Sequence, residues 1–198
     1  MNTVITVNRQ FGSGGREVGK RLADALNIAY FDKEIISKIA EKTNLSPSFI
    51  EQYQEVSATH QYSFTFGRTF SMPVLTPNDT IQIEQTKIIK KLAEDQPCVI
   101  VGRCANDILR ETAFRVFIYS SDMEKRIQRC YDKVPADKNK STAEMKKMIL
   151  SIDKQRAKYN QYYTGEDWMN MSNYNLCIDT AKVDIKKAVS IIVMALNN

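Results

Sequence analysis

A glycine-rich turn between a β-branched segment and an amphipathic segment constrains the fold more than any other feature of this sequence. Residues 3–8 (TVITVN) form a β-branched run that predicts a strand. Three glycines follow within four residues, at Gly12, Gly14 and Gly15. Apolar residues then recur at helical spacing, namely Val18, Leu22, Ala25 and Leu26. The sequence therefore predicts a strand, a tight turn and a helix in direct succession, with Asn27 as the stop.

The glycine turn has the composition of an anion-binding loop. Glycine adopts positive φ freely, so successive backbone N–H groups can turn inward around an anion, and the helix start adds its dipole. Three glycines in four residues exceed what a single turn needs. We predict that Gly12, Ser13, Gly14 and Gly15 bind phosphate groups. The alternative is a strand-to-helix turn that needs glycine only for its φ angles.

The lysine and hydroxyl usual in such a loop are missing. A literal GxxxxGK string ends at Lys20, with Arg21 in place of the Ser or Thr that binds magnesium, but it begins six residues beyond the strand. In the register that starts directly after the strand, Gly15 stands at the lysine position and Arg16 at the hydroxyl position. Arg16 would present its guanidinium to phosphate oxygens. Lys20 would have to fold back along the helix to do so.

The rest of the chain alternates between strands and helices. Mainly apolar runs predict further strands over residues 28–31, 98–101, 114–119 and 174–178, and the run over 98–101 is unbroken. Helical spacing predicts helices after Asp32 and over residues 79–94, 122–131 and 182–196, with another around Met145 to Ile152. Asp32 and Asp122 look like helix caps. Unbroken apolar strands are typical of parallel sheets covered on both faces, so we predict an α/β fold.

Length and composition restrict the function classes. The 198 residues suit one domain, 1–198, in which we interpret 44–95 as a helical insertion and 132–170 as a lid-like segment. No run approaches the ~18 apolar residues of a membrane span, and the N-terminus lacks signal-peptide features, so we expect a cytoplasmic protein without a membrane partner. Four cysteines without a CxxC and a single histidine exclude a Cys/His zinc site.

The carboxyl ends of parallel strands meet at one edge of a sheet, where ligands bind. The segments that follow the predicted strands are therefore candidate site residues. They are residues 9–16, Asp32, Gly102 with Arg103, residues 120–122, and Asp179 with Thr180. The net charge of +5 suits an anionic ligand. Nucleic acid is not expected, because no RNA-binding motif or interleaved basic and aromatic platform occurs.

Five segments carry a resemblance to a known family. The stretch ITVNRQFGSGGREVGKRLADALNIAYFDKEII is similar to the opening of the cytidylate kinase-like proteins, relatives of cytidylate kinase among the P-loop nucleoside monophosphate kinases. VIVGRCANDIL, FRVFIYSSDMEKRIQRCYD, DKQRAKYNQYYTG and SNYNLCIDT continue it in the same order. The resemblance implies a P-loop NTPase-type three-layer sandwich with a mainly parallel five-stranded sheet, and ATP or another nucleoside triphosphate as donor. It also implies Mg²⁺, although the loop hydroxyl that normally binds the ion is missing.

On the acceptor side, the resemblance carries over at a few positions. Arg103, after Gly102, matches the arginine that helps to hold the acceptor's phosphate, but Cys104 stands where cytidylate kinases have Asp. Asp32 matches the aspartate near the acceptor nucleotide. Ordinary alternatives are a pairing of Arg103 with Asp107 and a plain helix cap at Asp32.

On the donor side, Asp179 and Thr180 match the pair of residues near the donor base. Arg156 falls loosely where the family's lid supplies arginines to the transferring group, and its alternative is a solvated helix face. Tyr159, Tyr162, Tyr163 and Trp168 could stack a base, but docking of the lid helix on the core is the favoured interpretation.

The sequence thus predicts a phosphotransferase, with Arg16, Arg103 and Arg156 as catalytic residues, that acts on a nucleotide or another small phosphorylated acceptor. A catalytically impaired nucleotide- or anion-binding regulatory protein on the same fold is the alternative. A third hypothesis is a nucleic-acid or protein-binding module that uses the basic residues 125–158. Acceptor, donor base, metal and the choice between monomer and homodimer stay open.

Overall fold

A five-stranded sheet forms the centre of the computed structural model, which describes residues 3–48, 50, 77–133 and 139–197. The strands are β1 (Val4–Arg9), β2 (Ala29–Phe31), β3 (Cys98–Val101), β4 (Phe114–Tyr119) and β5 (Leu176–Asp179). All pairings are parallel, and the strand order is β2-β3-β1-β4-β5. The predicted α/β fold with a parallel five-stranded sheet is confirmed.

The helices that connect the strands are α1 (Gly15–Leu26), α2 (Glu34–Thr43), α3 (Pro77–Asp95), α4 (Ala105–Ile108), α5 (Met123–Lys133), α6 (Thr142–Thr164) and α7 (Ile185–Leu196). Asn27 ends α1 in the left-handed conformation with φ 51°, as the sequence predicts. The predicted cap at Asp122 is also confirmed, because its Oδ1 accepts the Lys125 N–H at 3.1 Å. Within the described ranges, none of the helices could cross a bilayer.

The predicted cap at Asp32 is wrong. Helix α2 begins at Glu34, its cap residue is Lys33, and no side chain caps it. The Asp32 carboxylate instead pairs with Arg16 at the start of α1. A carboxylate that lies beside a guanidinium gains more from this ion pair than from a neutral N–H donor, so the competing partner decides its direction.

Helices cover both faces of the sheet, because each buried strand sends alternate side chains to opposite sides. On one face, Ile5 and Val7 pack with Val18 and Leu22 of α1 and Ile192 of α7. On the other face, the apolar side chains of the strands pack with those of α2, α3 and α4, among them Val4, Cys98, Ile100, Ile35, Ile39, Ile89 and Ala105. The result is the predicted three-layer arrangement.

The segments interpreted as insertion and lid both contain long helices. Helix α3 packs with α2 on one face of the sheet. The sequence also allows a helix over residues 45–56, most of which lies outside the described residues. After α6, Trp168 is 2 % exposed and meets the Phe117 ring edge-on, with centroids 5.5 Å apart. This aromatic residue docks the segment on the core, as favoured from the sequence. The boundaries 44–95 and 132–170 remain predictions.

Candidate active site

The glycine loop, residues 10–14, leaves the carboxyl end of β1 and enters α1. Gly12 and Gly14 have φ angles of 75° and 84°, which residues with a side chain adopt only with backbone strain. A Cβ at Gly12 would lie 2.8 Å from the Arg126 carbonyl oxygen, and one at Gly14 would lie 2.9 Å from Ile185 Cδ1. Backbone conformation therefore favours glycine at both positions, and at Gly12 the Arg126 backbone also leaves no space for a side chain.

The interior of the loop is held by Ser13. Its fully buried hydroxyl donates to the Gln10 carbonyl at 2.9 Å and accepts the Gly15 N–H at 3.3 Å. From the other side, Thr180 Oγ1 donates to the Ser13 carbonyl at 2.7 Å. Thr180, which follows β5, thus contacts the glycine loop. The contact is made with the loop backbone.

Some backbone N–H groups of the glycine loop and of the first turn of α1 are bound within the protein, and others point to no described acceptor. Phe11 N–H donates to Asp153 Oδ1 on α6 at 2.7 Å, so a carboxylate of the protein itself already occupies it. The N–H groups of Gly12, Gly14 and Arg16 have no hydrogen-bond acceptor in the part of the chain that the structure describes. These three donors remain for a ligand, at the positive end of the α1 dipole.

Four guanidinium groups gather at this loop, and we call Arg9, Arg16, Arg103 and Arg156 the arginine cluster. All four line a cleft of about 580 Å³ along the glycine loop and also a neighbouring cavity of about 80 Å³. Further cations line the larger cleft, namely Lys33, Arg129 and Lys133. Neither cavity has an acidic residue in its described lining. The arrangement therefore has the charge of a polyanion site.

Asp32 is the carboxylate that approaches the arginine cluster. Its Oδ2 lies 2.6 Å from Arg16 Nε, and the residue is only 4 % exposed. Its buried Oδ1 has no hydrogen-bond partner among the described residues. One carboxylate cannot neutralise four guanidinium groups, so the cluster retains excess positive charge.

The turn after β3 positions Arg103 through an unusual backbone. Gly102, Arg103 and Cys104 have φ angles of 75°, 62° and 52° in succession, and such strain concentrates at functional sites. Burial raises the pKa of the Cys104 thiol to about 12, and its Sγ lies 3.8 Å from Asn160 Oδ1. The thiol stays protonated at neutral pH and is not a nucleophile here.

Lys20 and Asp179 are predicted site residues that line neither cavity of the arginine cluster. Lys20 pairs with Asp24 at 2.7 Å and sits over the Tyr30 ring. Asp179 Oδ1 accepts the N–H groups of Ser121 at 3.0 Å and Ala181 at 2.8 Å, so it joins the ends of β4 and β5.

Sequence reasoning missed a clamp on the glycine loop. Arg126 Nε donates to the Phe11 carbonyl at 2.8 Å, and Arg126 also pairs with Asp153, which accepts the Phe11 N–H. Arg126 is 4 % exposed. A signal existed, because Arg126 falls within the helical apolar stripe of α5, between Met123 and Ile127. Asp153 has no comparable signal.

Arg9 lies in the candidate segment 9–16, directly before the glycine loop, but sequence reasoning gave it no role of its own. The Arg9 side chain lies among the other three arginines of the cluster. Burial, and next the positive charge of Arg156, lower the pKa of Arg9 well below its usual value, while Asp32 opposes this. A cation so surrounded favours a bound anion.

The residues present do not fit a magnesium site of the usual kind. Arg16 occupies the position of the hydroxyl ligand, and the Ser13 hydroxyl is committed within the loop. Among the residues with described positions, no group of three or more His, Cys, Asp or Glu could hold a metal ion. The charge complement to phosphate here comes from guanidinium groups.

A glycine loop between the first strand and first helix, at the carboxyl edge of a parallel sheet with helices on both faces, defines a kinase-like nucleotide-binding P-loop fold. The sequence profile of the cytidylate kinase-like family matches residues 4–182, and the chain belongs to that family. A comparison with curated proteins gives no match. The resemblance and fold predicted from the sequence are confirmed.

Solved structures with the same fold include a crystal structure of an uncharacterized protein from Eubacterium ventriosum ATCC 27560. It is 25% identical, with a TM-score of 0.74 and coverage of 100% of this chain and 99% of that chain. Shikimate kinase from Bacteroides thetaiotaomicron is 16% identical, with a TM-score of 0.58 and coverage of 99% of both chains. Shikimate kinase from Acinetobacter baumannii, in complex with shikimate, is 15% identical, with a TM-score of 0.53 and coverage of 99% and 93%. The shikimate kinases show the fold alone.

Proposed function

We propose that this protein is a phosphotransferase that moves a phosphoryl group from a nucleoside triphosphate, such as ATP, to a nucleotide or another small phosphorylated acceptor. The observation that carries the proposal is the arginine cluster beside the glycine loop, with Asp32 as the carboxylate paired to it. Two phosphorylated molecules that meet at one point bring several negative charges, and the cluster supplies the opposite charge.

Phosphoryl transfer requires positioning and charge neutralisation more than a covalent nucleophile. The glycine loop would bind the donor phosphates through the N–H groups of Gly12, Gly14 and Arg16, with the Arg16 guanidinium beside them. Arg103 and Asp32 would orient the acceptor from the ends of β3 and β2. Arg156, on α6, would stabilise the charge on the transferring group.

Arg156 is held in place for this role. Its Nη1 donates to the Arg9 carbonyl at 3.1 Å, and its guanidinium lies over the Phe11 ring, 5.5 Å from the centroid. The cation–π contact and the hydrogen bond bring α6 against the glycine loop. A movement of α6 would therefore move Arg156 and Asp153 together relative to the loop.

A second candidate function is a nucleotide- or anion-binding regulatory protein on the same fold. The departures from the usual loop favour it: glycine at the lysine position, arginine at the hydroxyl position and a Phe11 N–H that Asp153 already occupies. These departures affect turnover more than they affect binding, because guanidinium groups and N–H donors suffice to hold an anion.

The test combines binding and turnover. Calorimetry with ATP, GTP and CTP, with and without Mg²⁺, identifies the donor, and incubation of that donor with a panel of nucleotides and sugar phosphates identifies the acceptor. A ligand at 100 times its Kd should also stabilise the protein by about 2.7 kcal/mol in thermal unfolding. Binding with turnover supports the phosphotransferase, binding without product supports the regulatory protein, and no binding contradicts both.

Variants then assign the residues. Arg16→Ala and Arg103→Ala should each lower turnover by at least about tenfold, because each removes a charged hydrogen-bond donor. Arg115→Ala is the matched control, since Arg115 lies at the amino end of β4, on the opposite edge of the sheet. Unchanged turnover in both cluster variants would show that these arginines are not catalytic.

A further inference from the structure

The path of the Arg9 side chain accounts for Gly15, whose backbone does not require glycine, and adds a steric reason to the positive φ of Gly102. A Cβ at Gly15 would lie 2.4 Å from Arg9 Cβ and 3.0 Å from its Cγ. A Cβ at Gly102 would lie 2.0 Å from Arg9 Nη1 and 2.9 Å from its Cζ. The side chain therefore begins over Gly15 and ends against Gly102, in space that side chains at both positions would otherwise take.

Gly15 is the position at which a P-loop of this register carries its lysine. Atoms cannot approach to 2.4 Å without a bond between them, and the conflict lies at Arg9 Cβ, close to the backbone, where rotation of the side chain brings no relief. A lysine at position 15 therefore excludes any side chain at position 9, including the observed arginine. The missing lysine and the presence of Arg9 are one structural arrangement rather than two independent departures.

We infer that the Arg9 guanidinium replaces the missing lysine as the cation that binds the donor phosphates at the glycine loop. This inference rests on the proposed function and names the residue that makes the loop competent without its lysine. Arg9 lines both the larger cleft and the small cavity, so it lies where the two join. Its planar fork can bind two phosphate oxygens through two parallel N–H bonds in a fixed geometry, whereas a lysine ammonium acts as a point charge.

The surroundings of Arg9 point to an anionic ligand. No described residue accepts a hydrogen bond from its guanidinium. The charges of Arg156, Arg103 and Arg16 act on it, and the single opposing carboxylate, Asp32, is itself paired with Arg16. A partly buried cation among like charges raises the free energy of the empty site. A triphosphate would satisfy its N–H donors and remove the repulsion.

The test measures binding of ATP and of inorganic tripolyphosphate, in buffer with EDTA, to the full-length protein. Arg9→Gln should lower both affinities at least about tenfold, because a charged donor is lost, whereas Arg9→Lys should lower them less. Arg115→Gln removes the same charge at the far edge of the sheet and should stay within about twofold of the parent protein. The thermal unfolding of Arg9→Gln should not be impaired, because the substitution relieves like-charge repulsion.

A reciprocal pair of variants decides the matter even if Arg9→Gln does not fold. Gly15→Lys alone should lower both stability and affinity, since it collides with Arg9. Arg9→Gly combined with Gly15→Lys should regain an affinity within about threefold of the parent, because it restores a lysine in the usual register. A stable, fully binding Gly15→Lys single variant would overturn the inference.

The outcomes separate this inference from the proposed function. If the parent protein binds ATP and Arg9→Gln binds it equally well, the assignment of Arg9 is wrong and the proposed function stands. If the parent protein binds neither ATP nor tripolyphosphate, both are overturned. A loss with Arg9→Gln that the double variant reverses supports both.

Discussion

Two arginines at opposite edges of the sheet have opposite electrostatic surroundings. Arg110, near the amino end, has its Nη2 2.7 Å from Asp107 Oδ1 and 3.1 Å from Glu166 Oε1. The hydrogen bond to Asp107, with that to Glu166, raises its pKa. Arg9, at the carboxyl edge, has a lowered pKa because of burial and the charge of Arg156. Arg110 has carboxylates of its own, whereas Arg9 is surrounded mainly by other cations.

The difference separates cations that hold the fold from cations that await a ligand. Arg126 shows that position alone does not decide this, because it touches the same glycine loop as Arg9 and yet pairs with Asp153. Two kinds of arginine therefore lie within one site. Arg126 fixes the loop, and Arg9 gives it charge.

The largest loss of stability is expected when the ion pair between Arg126 and Asp153, beside the glycine loop, is broken. Asp153→Asn should lower the free energy of unfolding by about 3 kcal/mol, because it leaves the Arg126 charge buried without a counter-charge. Asp107→Asn at the exposed Arg110 pair is the matched control and should cost less than about 1 kcal/mol. Denaturant unfolding measures both. Equal costs would mean that the Arg126 pair does not fix the loop.

The next largest effect, on stability and ATP affinity, is expected at two glycines with nearly the same backbone conformation. Gly102 and Gly165 have φ angles of 75° and 71°, so alanine at either position should cost about 1 kcal/mol of stability. A Cβ at Gly165 meets nothing within 4 Å, whereas one at Gly102 meets the Arg9 guanidinium. Gly102→Ala alone should therefore also weaken ATP binding, by about tenfold. If calorimetry shows the same affinity for both variants, Arg9 does not bind phosphate from its present position.

Much of this architecture could be predicted from the sequence, because the signals were local. The β-branched run, the three glycines and the helical spacing of α1 lie within about two dozen residues, and they determine the loop. The meeting of Arg16, Asp32 and Arg103 also followed, since carboxyl ends of parallel strands share one edge. These inferences needed only strand direction and order along the chain.

The rest depended on contacts between distant residues. The path of Arg9 is set by Gly102, which is 93 positions further along the chain, and no periodicity in the sequence reports such a contact. Asp153 contacts Phe11 from a helix whose outward face looks ordinary. Asp32 had the local pattern of a cap, but the ion pair with Arg16 outweighed it. Local propensity fails where a charged partner arrives from elsewhere in the fold.

Substitution of Arg110 and Arg103 compares the two kinds of arginine directly, with smaller expected changes in stability. Arg110→Gln should lower the free energy of unfolding by less than about 1 kcal/mol and leave ATP affinity unchanged, because its ion pairs are exposed and remote from the cleft. Arg103→Gln should show the reverse pattern, with little change in stability and turnover lowered by at least about tenfold, because Arg103 is proposed to orient the acceptor. Calorimetry, turnover assays and denaturant unfolding of both variants make the comparison. A loss of stability with Arg103→Gln that exceeds the loss with Arg110→Gln would break the comparison.

The smallest effect is on the pH dependence of stability, and it arises from a carboxylate at the same edge of the sheet as the arginine cluster. Asp179 has both oxygens hydrogen-bonded, whereas Oδ1 of Asp32 has no partner in the described part of the chain. Burial raises the pKa of Asp179, but hydrogen bonds from Ser121 and from the Ala181 N–H outweigh it, so its folded-state pKa lies below the usual value.

A carboxylate with a depressed pKa stabilises the fold above its unfolded-state pKa, about 3.9, and this stabilisation is lost as the pH falls through the folded-state pKa. The free energy of unfolding should therefore decrease below about pH 4, and Asp179→Asn should reduce the slope of that decrease. Asp24→Asn, at an exposed helical ion pair, serves as the control. Unfolding curves between about pH 2 and 6 measure the slope. An unchanged slope in Asp179→Asn would show that its hydrogen bonds do not hold the ends of β4 and β5 together in solution.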